Sequence, residues 1–287
     1  MMALVGLWVV LWGAGEQTVA KVVPDRVYQG QVAVLQVSAP APPLSLVWQG
    51  REIRFFPFPG GYRALIPIPA DLKPGTYSIT VPDGQLTPIA VSLRVLAASF
   101  PTQRIKLAPE KTKLYEAPER EKEREVWRAS LRTVSDQVLW SAPFLIPVSG
   151  RKTTGFGVRR YYVGRSQPFS YHRGVDLAAP RGTPVKASNS GRVVLARTFT
   201  VEGVSVLIDH GQGVLTAYLH LHSASVQEGQ VVSRGQEIGT VGDSGAVTGP
   251  HLHWALYVQG VPVDPNPWTR ESWLRAMGLL PTLQTQR

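Results

Sequence analysis

All six histidines of this 287-residue chain fall between positions 172 and 253. Imidazole binds metals and moves protons near neutral pH, so this window is where chemistry is to be sought. The chain has no cysteine. That removes disulfides, thiolate zinc sites and cysteine nucleophiles together, and leaves imidazole and carboxylate groups as the reactive inventory.

The segment PHLHWALYV (250–258) is apolar and β-prone, and follows the glycine-rich loop GDSGAVTGP. Side chains alternate on a strand, so His251 and His253 share one face about 6–7 Å apart, with Leu252, Trp254 and Leu256 on the other. On a helix the two imidazoles would point in nearly opposite directions. TAYLHLHS (216–223) reads the same way: Tyr218, His220 and His222 on one face, Ala217, Leu219 and Leu221 on the other. A third segment, YHRGVD (171–176), sets His172 four residues before Asp176. On a flat strand they would lie about 13 Å apart, too far to share an ion whose bonds are about 2 Å long. The chain must therefore bend between them, and Gly174 permits the bend. The flanking Gly164, Pro168, Pro180 and Gly182 argue against a helix there. A bent segment then supplies one imidazole and one carboxylate, and a strand supplies a third ligand. Two histidines and a carboxylate with an open fourth position form the ligand set of a hydrolytic zinc site.

The elements that must position these groups are mostly strands. Glycine and proline are plentiful, at 27 and 24 residues, which favours short strands and turns. Residues 21–100 alternate between short β-rich runs and Pro/Gly turns, with a two-residue turn at Gln49-Gly50, and predict a small immunoglobulin-like β-sandwich. Residues 101–140 are charged, and Trp127, Leu131, Val134 and Val138 predict an amphipathic helix of roughly 15–20 residues in a connector. Residues 141–270 return to a strand pattern and hold every histidine, and 271–287 read as a tail. Over 1–20 an apolar run (2–15) precedes the small residues Thr18-Val19-Ala20. It is too short for a typical membrane span and reads as an export signal or an N-terminal anchor, although no Lys or Arg precedes Lys21.

A formal net charge of +10 draws the chain to polyanions, an acidic cell wall among them. Its Lys and Arg residues are spread along the sequence with no nucleic-acid motif, so no nucleic-acid partner is expected.

In order and spacing, TTGFGVRR (153–160), HRGVDLAAPRGTPVKAS (172–188), VLIDHGQGVLTAYLHLHS (206–223) and the long segment 226–256 ending in HLHWAL resemble the lysostaphin-like zinc peptidases, the LytM family. The resemblance covers about 125 residues. It implies a compact antiparallel β domain with a groove and one Zn²⁺ per chain on His172, Asp176 and His253. It implies His220 and His251 as catalytic imidazoles, His210 as structural and His222 without a role. The implied substrate is the peptide stems and cross-links of bacterial peptidoglycan, which places the protein outside the cytoplasm, periplasmic, wall-associated or extracellular. Anionic wall polymers are compatible partners. A non-cleaving wall-binding or partner-activating module of the same fold is the alternative, and all five key positions being filled weighs against it. Ala255 departs from relatives that often carry Glu there.

Overall fold

The structure is a computed structural model and describes residues 18–39, 45–81, 88–163 and 169–280. Strand accounts for 47% and helix for 12%, so the chain is mainly β, as its turn-rich composition implies. Most of the apolar leader lies outside the described residues. Its last two residues, Val19 and Ala20, open the strand Val19–Val23, which pairs with Val32–Ser38. No helix among the described residues is long and apolar enough to cross a membrane.

The N-terminal third holds a four-stranded sheet, a three-stranded sheet and a two-stranded hairpin. The hairpin turns at Gln49 and Gly50, both at positive φ, as the sequence predicts. The sheets share one apolar core that includes Ala33, Leu35, Ile66, Ile79 and Leu93. The three-stranded sheet contains a parallel pair, Arg26–Tyr28 on the strand Ile89–Leu96, so the pairing supports two small sheets without settling the immunoglobulin-like topology.

The strand Val32–Ser38 is buried on both faces, which explains its unbroken VAVLQV sequence. Ala33 and Leu35 face their own core, whereas Val32, Val34 and Leu65 of the neighbouring strand join the core of the histidine-bearing domain. Gly30 lies against Phe156 of that domain, so closely that a Cβ would fall 2.4 Å from the ring, and its carbonyl accepts from the Asp264 amide. Buried Arg63 donates to Gln212 and to the Gly278 carbonyl, and burial lowers its pKa to about 10. The two domains are joined by a packed seam.

The segment expected as a connector is part of the same body. Thr102–Ile105 pairs in parallel with Arg159–Tyr162. Helix α1, Pro109–Lys113, and a 3-10 turn follow. Helix α2 is Arg120–Ser130, shorter than its apolar spacing predicts. It ends where the chain finds long-range partners: Gln212 donates to Ser135, and Leu139 to His210. Val134 and Val138 lie outside any helix or strand. Residues 271–280 of the presumed tail are likewise structural. Helix α3, Glu271–Ala276, brings Leu274 and, beyond it, Met277, Leu279 and Leu280 into the main core.

The histidine-bearing domain is built on ten antiparallel strands among the described residues. Its central order runs Arg151–Thr154, Val175–Ala178, Leu252–Val258, Val214–Ala224, Gly203–Gly211, Gly191–Phe199. One face carries the main core, with Val175, Leu177, Leu252, Trp254 and Leu256. The other packs Leu215, Ala217, Leu219, Ala255 and Tyr257 under α2, whose Trp127 lies edge-on to Phe199.

Candidate metal centre

Three strands bring the site together. Asp176 stands opposite His253, and His253 opposite Leu219. Alternation gives Val175 and Leu177 to the core and turns Asp176 to the α2 face, and does the same for His253 between Leu252 and Trp254. The predicted bend before Asp176 is present. The His172 backbone is pinned to the preceding turn, donating to the Val158 carbonyl at 2.8 Å and accepting from the Gly157 amide at 2.8 Å. Gly174 serves this bend by its lack of a side chain, since a Cβ there would lie 2.3 Å from the Trp254 carbonyl oxygen.

His172 Nε2 lies 3.0 Å from Asp176 Oδ1 and 2.9 Å from His253 Nδ1, and His253 Nδ1 lies 2.9 Å from Asp176 Oδ1. All three residues are buried. His172 Nδ1 is 2.7 Å from the Gly155 carbonyl, which assigns its proton to Nδ1 and leaves a lone pair on Nε2. Three electron-pair donors thus converge on one point, an arrangement that repels itself unless a cation or proton sits among them. Two imidazoles and one carboxylate are also a donor set that zinc takes, with bonds of about 2.0–2.2 Å. The residues present therefore fit the metal.

The electrostatics of the centre favour a charged carboxylate and a neutral His253 ring. Burial by itself would raise the Asp176 pKa; its contacts with the His172 and His253 rings outweigh it and hold the carboxyl well below the usual carboxylate range. The second oxygen, Oδ2, is held by the Arg160 guanidinium, leaving Oδ1 for the centre. Burial lowers the His253 pKa to about 4.

His251 and His220 flank the ligands. His251 Nε2 is 3.8 Å from Asp176 Oδ1, and its Nδ1 donates to the Gly249 carbonyl at 2.8 Å. The His220 ring centre is 5.2 Å from that of His251 and 6.2 Å from that of His253. Its Nδ1 donates to the Ser244 carbonyl at 3.0 Å. Burial, then the neighbouring His251 and His253, lowers its pKa well below the ordinary value. Both rings therefore present Nε2 as the free acceptor.

His220 reaches this face through a departure from the expected alternation. The pairing slips by one residue between Tyr218, opposite Val206, and Leu221, opposite Val204. His220 occupies the bulge at φ 63°, its amide donating to the Glu202 carbonyl. Tyr218 and Leu221 both enter the main core, while His220 turns to the site. His222, expected on the same face, is exposed and accepts from Arg181 at 2.9 Å. His210 is fully buried, with Nδ1 on the Ser190 carbonyl and Nε2 2.7 Å from the Thr216 hydroxyl, and burial lowers its pKa to about 4. It is held as a neutral structural ring.

Sequence reasoning gave no role to Arg160, Ser244 or Gly249. Arg160 sits inside the TTGFGVRR motif, but only the fold reveals that it meets Asp176. The other two act through backbone carbonyls, which a sequence marks only by the glycine-rich loop around them. Ala255 is fully buried beneath α2, so a Glu there would set a carboxylate among Leu131, Leu215 and Tyr257.

A sheet whose one face gathers His172, Asp176, His253 and two further imidazoles defines a metallopeptidase-type centre. Residues 170–265 match the profile of peptidase family M23. Over 84% of this chain and 94% of the other, the fold is similar to a crystal structure assigned to peptidase M23 from Pseudomonas aeruginosa, with 30% identity and a TM-score of 0.64. The chain belongs to peptidase family M23. It is 52% identical over 93 residues to peptidoglycan DD-endopeptidase ShyA of Vibrio cholerae, covering 32% of this chain and 22% of that protein. It is 42% identical over 115 residues to DD-carboxypeptidase/endopeptidase Mpg of Neisseria meningitidis, covering 36% and 26%. It thus spans about a quarter of the length of these relatives.

Proposed function

We propose that the chain is a zinc endopeptidase that hydrolyses peptide cross-links of bacterial peptidoglycan. His172 Nε2, Asp176 Oδ1 and His253 Nδ1 would hold the metal, and His220 and His251 would serve as the catalytic imidazoles. The observation that carries this reading is the convergence of those three ligand atoms within 3.0 Å, with two further imidazoles beside them. Zinc bound there would supply a water with a pKa near 7 and polarise the scissile carbonyl.

The protein's own groups do the rest. Gly249 and Ser244 fix the Nδ1 protons of His251 and His220, so each Nε2 can accept a proton from the attacking water. Once protonated, either ring can steady the negative charge that develops on the carbonyl oxygen. Arg160 holds Asp176 Oδ2 and so leaves Oδ1 to face the centre. Relatives named for the DD linkage make that cross-link the first candidate bond. Such a substrate lies outside the cytoplasm, so the proposal includes export.

The test is digestion of purified sacculi, with released muropeptides identified by mass spectrometry. Product masses name the bond. Cleavage should stop with chelator, return with added zinc, and be absent in Asp176→Ala and His253→Ala, which should also lose zinc. Intact sacculi with the zinc-loaded protein would leave only a binding role.

A further inference from the structure

A cavity of about 400 Å³, within the ~300–1,000 Å³ range of small-ligand clefts, lies between the linker and the glycine-rich loop. Lys106, Glu110 and Lys111 line it from the linker, and Asp243, Thr248 and Gly249 from the loop. The loop wall is also the wall of the metal centre. Its Ser244 carbonyl holds His220, and its Gly249 carbonyl holds His251. Lys111 Nζ donates to the Gly245 carbonyl at 2.7 Å, which fixes one ammonium group at the cavity edge and ties linker to loop. The linker stays in place because Thr102–Ile105 is a strand of the sheet that also carries Arg159–Tyr162.

Two ammonium groups, Lys106 and Lys111, and two carboxylates, Glu110 and Asp243, line the cavity. Asp243 is 3.7 Å from the exposed Arg181 guanidinium, which draws part of its charge away from the two lysines. Lys106 and Lys111 then face one further carboxylate, Glu110. An ammonium attracts carboxylates and offers three donors, and one of those on Lys111 is used by Gly245.

We infer that this cavity is a substrate subsite in which Lys106 and Lys111 bind a free carboxylate of the peptide stem being cut. The inference rests on the proposed peptidoglycan substrate and adds to it a place where the stem docks. It gives the linker a part in recognition: a stem held here lies against the loop that aligns both imidazoles.

Binding is measured by calorimetry on the full chain after chelation, so that carboxylates cannot report on the metal instead. The probes are the tripeptide L-alanyl-γ-D-glutamyl-meso-diaminopimelate and its carboxamide counterpart. The acid form should bind about three- to five-fold tighter, the scale of a solvent-screened ion pair. That preference should shrink in high salt and vanish in Lys106→Gln and Lys111→Gln. Lys106→Gln leaves the Gly245 contact intact, and unchanged thermal unfolding in both variants excludes a folding defect. Equal binding of the two probes, no binding of either, or a preference that survives both substitutions overturns the subsite. Cleavage of sacculi is read separately. A chain that binds the acid form but cuts nothing sinks the hydrolase reading alone, and one that cuts without carboxylate preference sinks the subsite alone.

Discussion

Gly174→Ala tests how tightly the metal centre depends on one close approach. A Cβ at position 174 would lie 2.3 Å from the Trp254 carbonyl oxygen and 2.9 Å from His253 Nε2, where ordinary contact begins at 3.4 Å. The shortfalls are 3.4 − 2.3 = 1.1 Å and 3.4 − 2.9 = 0.5 Å. Trp254 cannot yield easily, because its strand is paired on both sides. The segment bearing His172 and Asp176 must therefore lift by about 1 Å, whereas a working metal site tolerates about 0.2 Å in ligand distance. Zinc affinity should fall about 10- to 100-fold, the loss seen when the groups that orient ligands are disturbed. Overpacking should also remove about 1–3 kcal/mol of stability, or about 2–4 °C in Tm for each kcal/mol in a chain of this size. Competition against a fluorescent zinc chelator reads the first effect, and thermal unfolding in EDTA reads the second. Zinc affinity in Gly174→Ala within about three-fold of the unaltered protein, with an unchanged Tm, would refute the steric reasoning.

Three further outcomes are expected. His251→Ala and His220→Ala should keep zinc, as metal analysis will report, and lose turnover by about 10²–10⁴-fold; full activity in either removes that ring from the mechanism. Ala255→Glu buries an unpaired carboxylate beneath α2 and should destabilise by about 3 kcal/mol, with faster proteolysis between residues 101 and 140; an unchanged Tm and digestion pattern would show that α2 does not seal this face. The His210 pKa is lowered from 6.5 to about 4, so the fold favours the neutral ring and the unfolded chain takes up the proton first. Its contribution is full above pH 6.5 and is lost as pH falls toward 4, by up to about 3 kcal/mol. In metal-free protein, urea titrations from pH 7 to pH 4 should show this slope flattened in His210→Gln.

Much of the site could be read from local pattern. HLHWAL alternates as a strand must, and Leu252 and Trp254 go to the core as expected. The His172–Asp176 spacing required a bend, and the bend is there. What escaped was set by distant partners. His220 changes face because Glu202, in the turn before the neighbouring strand, takes its amide, and histidine gives no local notice of a bulge. Helix α2 stops early because Gln212 and His210 claim the backbone that the apolar spacing would have continued. The linker and the C-terminal segment look expendable in sequence, since their few apolar residues acquire meaning only against surfaces built elsewhere. Gly174 was noticed for its freedom and is needed for its smallness.

The seam through Val32, Val34 and Leu65 gives the protein a single interior where its sequence suggests two beads on a string. Excising the half that bears the metal ligands would lay bare an oily wall, and the fragment would clump before it could be assayed. On the proposed reading, a body without an elbow meets its substrate with the site already shaped.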